Sequence, residues 1–73
     1  MSRFKAGELL RIKQHVFGTV IWTDDLMRAT DGIDNHELLV TISPENDSGW
    51  TKVLSPRGIE GYAHRNNILR LNS

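Results

Sequence analysis

The chain of 73 residues has no cysteine and only two prolines, and two Trp, two Phe and one Tyr supply all of its aromatic rings. Without cysteine there is neither a disulfide framework nor a thiolate metal site, so any core must hold by packing alone. No unbroken apolar run reaches signal-peptide length, and none approaches the roughly 20 residues that a membrane span requires. A membrane partner is therefore not expected, and a cytoplasmic location is the default expectation. Nor is there an excess of charge of one sign, because nine Lys and Arg balance nine Asp and Glu. A chain this short is expected to form one domain over residues 1–73, burying about 60% of the surface that its unfolded form exposes.

The balanced charge is unevenly distributed. Residues 1–13 carry Arg3, Lys5, Arg11 and Lys13 against Glu8, and residues 51–73 carry Lys52, Arg57, Arg65 and Arg70 against Glu60, a net of +3 at each end. Between them, Asp24, Asp25, Asp31, Asp34, Glu37, Glu45 and Asp47 face only Arg28, a net of −6. If the first and last strands pair, the basic ends gather on one side, and the resulting dipole would steer partners at low salt. The plain alternative is that aspartate collects in loops because it suits turns.

Periodicity points to strands. Leu10 and Ile12 alternate with charged neighbours in Glu8 to Lys13, which predicts a half-buried first strand. Thr19 to Thr23 is β-branched and aromatic, a second strand entered through Gly18, with Val16 and Phe17 before it and Phe17 assigned to the core. Asp24 to Thr30 is too short for an isolated helix and reads as a loop or a returning strand. Asp31-Gly32 and Asp34-Asn35 read as turn pairs, His36 to Ile42 as a third strand, and Ser43 to Gly49 as a loop. Ile68 to Leu71 forms a short closing strand. Five or six such strands with short connections predict an all-β fold, a small closed or partly open β-barrel that removes aggregation-prone edges.

The most informative stretch is Gly49-Trp50-Thr51-Lys52-Val53, the turn Ser55-Pro56-Arg57-Gly58, and Ile59-Glu60-Gly61-Tyr62. It predicts two strands joined by a tight turn, with Gly58 supplying the permissive backbone. Over residues 36–71 this pattern resembles the second half of an SH3-type barrel, with the bacterial SH3b version the nearer likeness. Trp50 sits where that family places its binding-groove tryptophan, and Gly61-Tyr62 with Ala63 to Ile68 resembles its glycine-led strand and single 3₁₀ turn. The first half is similar in outline, through Gly7, a strand and a long acidic hairpin. The chain departs from the proline-binding members: Glu8-Leu9-Leu10-Arg11-Ile12 replaces their tyrosine-rich segment, and His64 and Asn67 stand where they carry proline and tyrosine. Only Trp50 remains of the aromatic set that holds a polyproline ligand. Small accessory subunits of photosynthetic electron-transfer complexes and small phage-encoded proteins that redirect host machinery are further likenesses.

No catalytic constellation is visible. His15, His36 and His64 lack i, i+4 or His-x-His spacing, and Asp24 and Asp25 are adjacent, so a strand would point them to opposite faces. No nucleophile-elbow glycines surround Ser43, Ser48 or Ser55. No metal, cofactor or enzymatic activity is expected. Trp50 is expected to be partly exposed, Trp22 is undecided between core and surface, and Tyr62 is expected to pack its ring while its hydroxyl finds a polar partner. The expectation is a non-catalytic module that docks on a larger protein through Trp50 with Asp24, Asp25, Asp31, Asn67 and His64. An exposed indole beside acidic loops suits a ligand bearing Arg or Lys. The alternative is a nucleic-acid-associated barrel that uses Arg3, Lys5, Arg11, Lys13, Arg65 and Arg70 against phosphates, although a stacking stripe is not visible in the sequence. A permanent accessory subunit of an enzyme complex would need the same surfaces.

Overall fold

Successive side chains of a strand point to opposite faces, so a core on one face buries alternate residues, as it does along Leu9–Ile12, Leu38–Thr41, Trp50–Leu54 and Glu60–His64. The computed structural model describes residues 3–13 and 18–71. Seven strands appear among them: β1 (Leu9–Ile12), β2 (Thr19–Trp22), β3 (Ala29–Ile33), β4 (Leu38–Thr41), β5 (Trp50–Leu54), β6 (Glu60–His64) and β7 (Ile68–Arg70). They form one open antiparallel sheet in the order β3-β2-β6-β5-β4-β1-β7, and the described residues contain no α-helix. The all-β class follows from the short β-branched runs. The ladder has two ends, β3 and β7, and seven strands where five or six were anticipated; of the closed and partly open barrels anticipated, closure is not seen.

The additional strand is β3. Asp31 and Gly32, anticipated as a turn pair, lie inside it, opposite Ile21 and Val20 of β2. Turn propensity is a local preference, and here the ladder to β2 together with the ion pair of Asp31 with Arg57 outweighs it. Val16 and Phe17, with the core role anticipated for Phe17, lie outside the described residues.

Leu10 and Ile12 of β1, Ile21 of β2, Ile33 of β3, Leu39 of β4, Val53 of β5, Ala63 of β6 and Ile68 of β7 join Phe4 in a single buried cluster. Every strand therefore sends its inner face to the same core. With no helical layer to cover that face, the sheet must curl around its own side chains. The inner face also carries Thr41, whose hydroxyl donates to the Lys5 carbonyl and accepts from the Glu8 N–H at 2.8 Å. The Gly7 N–H donates to the Thr41 carbonyl as well, so a single buried threonine ties the segment before β1 to β4.

The β5–β6 hairpin forms as its sequence predicts. Trp50 pairs with His64, Lys52 with Tyr62 and Leu54 with Glu60. In the turn the Gly58 N–H donates to the Ser55 carbonyl, Gly58 holds φ +79°, and the Ser55 N–H donates to the Ile59 carbonyl. This is a tight turn closed by a left-handed residue, a position that glycine occupies without strain. After β6 a 3₁₀ turn spans Arg65–Asn67, capped by the His64 Nδ1, which accepts from the Asn66 N–H at 3.2 Å. The first and last strands pair, with Leu10 opposite Arg70. Among the described residues no helix is long and apolar enough to cross a membrane.

Candidate binding surface

The inner face takes alternate residues, so their neighbours must point outward, and register decides which outward side chains meet. On β5 and β6 these are Trp50 and Lys52, beside His64 and Tyr62. On β2 the inner position goes to Ile21, which resolves Trp22 to the outer face, opposite Tyr62. Trp22, Tyr62, Lys52, Trp50 and His64 thus form one continuous, half-buried patch across β2, β6 and β5. Trp50 and His64 meet edge-to-face, with ring centroids 4.9 Å apart and planes at 78°. The quadrupole of the indole favours this geometry over a stack. The sequence reading singled out Trp50 and His64 and missed that Trp22 and Tyr62 share their face. Alternation would have placed Trp22 outward once Ile21 was assigned inward, but only the β2–β6 ladder sets it beside Tyr62.

Gly49 makes the lower end of this patch possible. Its φ of +87° is left-handed, and a Cβ there would meet His64 Nε2 at 3.0 Å and Arg65 Cδ at 3.2 Å. The Arg65 N–H donates to the Gly49 carbonyl at 2.9 Å. Asn46 closes the same loop, its Oδ1 accepting from the N–H groups of Ser48 and Trp50. Arg65 reaches across to the buried Glu45 at 3.2 Å, and Glu45 also accepts from the Phe4 N–H.

The upper end of the patch opens into a groove of about 560 Å³ lined by Trp22, Asp24, Asp25, Arg28, Lys52 and Glu60, among others. Asp24 and Asp25 belong to the tip of the β2–β3 hairpin. The Thr23 N–H donates to the Arg28 carbonyl, and the Leu26 N–H donates to the Thr23 carbonyl, both at 2.8 Å. Asp25 accepts from the Thr23 hydroxyl and from the Met27 N–H, and these bonds hold its carboxyl below the ordinary value. The tip therefore presents Met27, 78% exposed, on a pinned turn in which Leu26 adopts φ +61°. That conformation costs a non-glycine residue about 1–2 kcal/mol. Across the groove Glu60 engages Lys52 at 3.3 Å and raises its pKa.

The structure divides the residues singled out from sequence. Trp50 and His64 are in contact, Asp24 and Asp25 line the adjoining groove, and Asn67 is half-buried in the 3₁₀ turn, its carbonyl accepting from the Lys13 N–H. Asp31 belongs to a different cluster. Its carboxylate pairs with Arg57 at 2.7 Å, and Arg57 also grips Glu37 at 2.6 Å and the Gly32 carbonyl. Hydrogen bonds from the Ser55 hydroxyl and then from Arg57 lower the pKa of Asp31. Arg57 holds Glu37 at about 2, with help from the Asp34 N–H. This clamp ties the β5–β6 turn to β3, which is a scaffolding task.

Three arginines of the basic ends are likewise partnered. Arg3 pairs with Asp47, Arg65 with Glu45, and Arg70 with Glu8 while lying 4.7 Å from the centre of the Phe4 ring. The long-range dipole anticipated from the linear charge pattern is therefore subdivided, because folding interleaves the acidic middle with the basic ends. No group of three or more metal-ligating side chains gathers among the described residues. No family model, no curated protein and no solved structure matches the chain.

Proposed function

We propose that this chain is an SH3-like, non-catalytic interaction module, an adaptor, regulator or inhibitor that docks on a larger protein. What supports the SH3-like reading is the order of elements: a first strand flanked by the last strand and by a three-strand meander, a long hairpin inserted before that meander, and one 3₁₀ turn ahead of the last strand. The observation that carries the functional reading is the outer patch of Trp22, Tyr62, Trp50 and His64 continuing into an acid-tipped groove. Amphipathic rings held in place by a ladder present large contact area at little entropic cost, the property that concentrates binding energy in Trp and Tyr. The ligand is an extended protein segment that lays apolar side chains on the rings and offers Arg or Lys toward Asp24 and Asp25.

The nucleic-acid alternative loses support from the ion pairs of Arg3, Arg65 and Arg70, since a cation already facing a carboxylate releases little on meeting a phosphate. Affinity capture from the native host followed by mass spectrometry identifies the partner, and Trp50→Ala and Trp22→Ala tests follow. Both variants are expected to fold, to lose about 1 kcal/mol of stability or less, and to weaken the captured complex at least tenfold, an effect on the order of one hot-spot residue. Unchanged affinity in both folded variants overturns the reading. Salt-sensitive binding to RNA or DNA that survives both changes would favour the basic strands instead.

A further inference from the structure

A second outward surface, on the other side of β5, has a different chemistry. Val40 of β4 pairs with Leu54 of β5 and with Leu9 of β1, and the Leu71 N–H donates to the Leu9 carbonyl, which sets four aliphatic residues in one row across β5, β4 and β1 to the residue just after β7. In the next row Arg11 of β1 lies between Leu38 of β4 and Leu69 of β7. Leu9 is 50% exposed, Leu38 41% and Leu71 40%. Single exposed leucines need no explanation, but a contiguous aliphatic sheet face does. Arg11 is half-buried in its midst and has no ion pair or side-chain hydrogen bond among the described residues, whereas Arg3, Arg57, Arg65 and Arg70 each pair with a carboxylate.

We propose that this face docks one amphipathic helix of a partner protein, whose apolar stripe covers the two rows and whose carboxylate pairs with Arg11. Size selects the helix. Four strands at about 4.8 Å spacing make a strip about 14 Å wide, and two alternate residues along a strand add about 7 Å of depth. That footprint suits one helix of about 10–12 Å diameter rather than a second sheet. Charge selects the partner. A second copy docked through the same face would set Arg11 against Arg11 at the centre, whereas an acidic residue inside an otherwise aliphatic stripe satisfies it. The surface shares no residue with the aromatic patch, so the proposal stands apart from the function argued above. Together the two faces would let one small sheet bridge two proteins.

The test is a phage-displayed library of helix-forming 16-residue peptides panned against the full chain, with Leu9→Glu and Arg11→Glu variants checked for folding by circular dichroism. Enriched peptides are expected to show apolar residues at i, i+3, i+4 and i+7 with one Glu or Asp inside the stripe. They should bind Leu9→Glu at least about tenfold more weakly, and panning against Arg11→Glu should replace the acid by Lys or Arg. Enrichment without the period or the acid, or no charge reversal with Arg11→Glu, overturns the proposal, and the latter result decides even if Leu9→Glu unfolds. Sedimentation that shows a dimer abolished by Leu9→Glu assigns the face to a second copy. Co-flotation with phosphatidylcholine–phosphatidylglycerol vesicles, lost in Leu9→Glu, assigns it to lipid. Either of these results also overturns the helix.

Discussion

The two outward faces of this sheet share a core and a strand, yet they differ in almost every other respect. Where β2, β6 and β5 meet, the outer side chains Trp22, Tyr62, Trp50 and His64 gather, and Lys52 pairs with its neighbour Glu60. Across β4, β1 and β7 they are aliphatic around Arg11, which has no ion pair among the described residues. The inner positions of both regions are interchangeable in kind: Ile21 and Ala63 on one side, Leu10, Leu39 and Ile68 on the other. The contrast teaches that burial governs one half of each strand and leaves the other half free to be written for contact. It also predicts that changes on the inner face damage both regions together, while changes outside it stay local.

The largest expected effect is at Gly61, on the seam between the core and the aromatic region. A Cβ there would collide with the Thr30 hydroxyl and come within 2.8 Å of Ile21 Cγ1, in a place where Ile21 is completely buried. Gly61→Ala should cost about 2–3 kcal/mol by overpacking, read as a lower urea midpoint. Gly32→Ala, which meets nothing within 4 Å, should change stability far less. If Gly61→Ala disturbs amide exchange around β2 and β6 but leaves β1 and β7 protected, the single-core picture breaks.

Thr41 tests the aliphatic region from beneath. Thr41→Val keeps the volume but removes the hydroxyl that serves Lys5 and Glu8, leaving a part-buried N–H and a carbonyl without that partner. A loss of about 1–3 kcal/mol is expected, with faster amide exchange at Glu8 and Leu10 and, because Thr41 lies on the shared inner face, at Trp22 as well.

The Arg57 clamp sharpens the comparison through pH. Glu37 has its pKa depressed from 4.5 to about 2, so its contribution is fully present above pH 4.5 and is lost as pH falls toward 2. Arg57→Gln should return Glu37 to the ordinary carboxylate range, measured by NMR titration of its side chain. The stability gap between wild type and variant should then shrink as pH falls from 4.5 to 2. A gap that stays constant over that interval would show that Arg57 acts by packing rather than by pairing.

The smallest effect carries the opposite sign. Thr51 on the shared strand β5 is completely buried, and its hydroxyl has no hydrogen-bond partner among the described residues. Thr51→Val should therefore raise stability by about 1 kcal/mol, seen as a higher urea midpoint with an unchanged slope.

Much of the fold was legible because periodicity is a local record of burial. Alternation in Glu8 to Lys13 located β1, and the Ser-Pro-Arg-Gly turn located the β5–β6 hairpin with Gly58 at its left-handed position. β3 was less legible because Ala29–Ile33 contains aspartate and glycine, whose turn preference conceals a strand that is held from outside by β2 and Arg57. The candidate site was legible only in part. Trp50 and His64 stand 14 residues apart and were both recognised, but their edge-to-face contact depends on the hairpin register. Asp31 carries the same charge as Asp24 and Asp25, and nothing in the linear pattern foretells that Arg57 claims it.

Composition and period by themselves determined that this protein is a small all-β unit without cysteine chemistry, because the absence of thiols and the two-residue alternation are properties of the chain at any conformation. Only the tertiary structure decided which outward side chains become neighbours. Trp22 joins Tyr62, Leu9 joins Val40 and Leu71, and carboxylates of the acidic middle meet Arg3, Arg57 and Arg65, because strand register and sheet order act between residues whose separation along the chain carries no trace of the pairing.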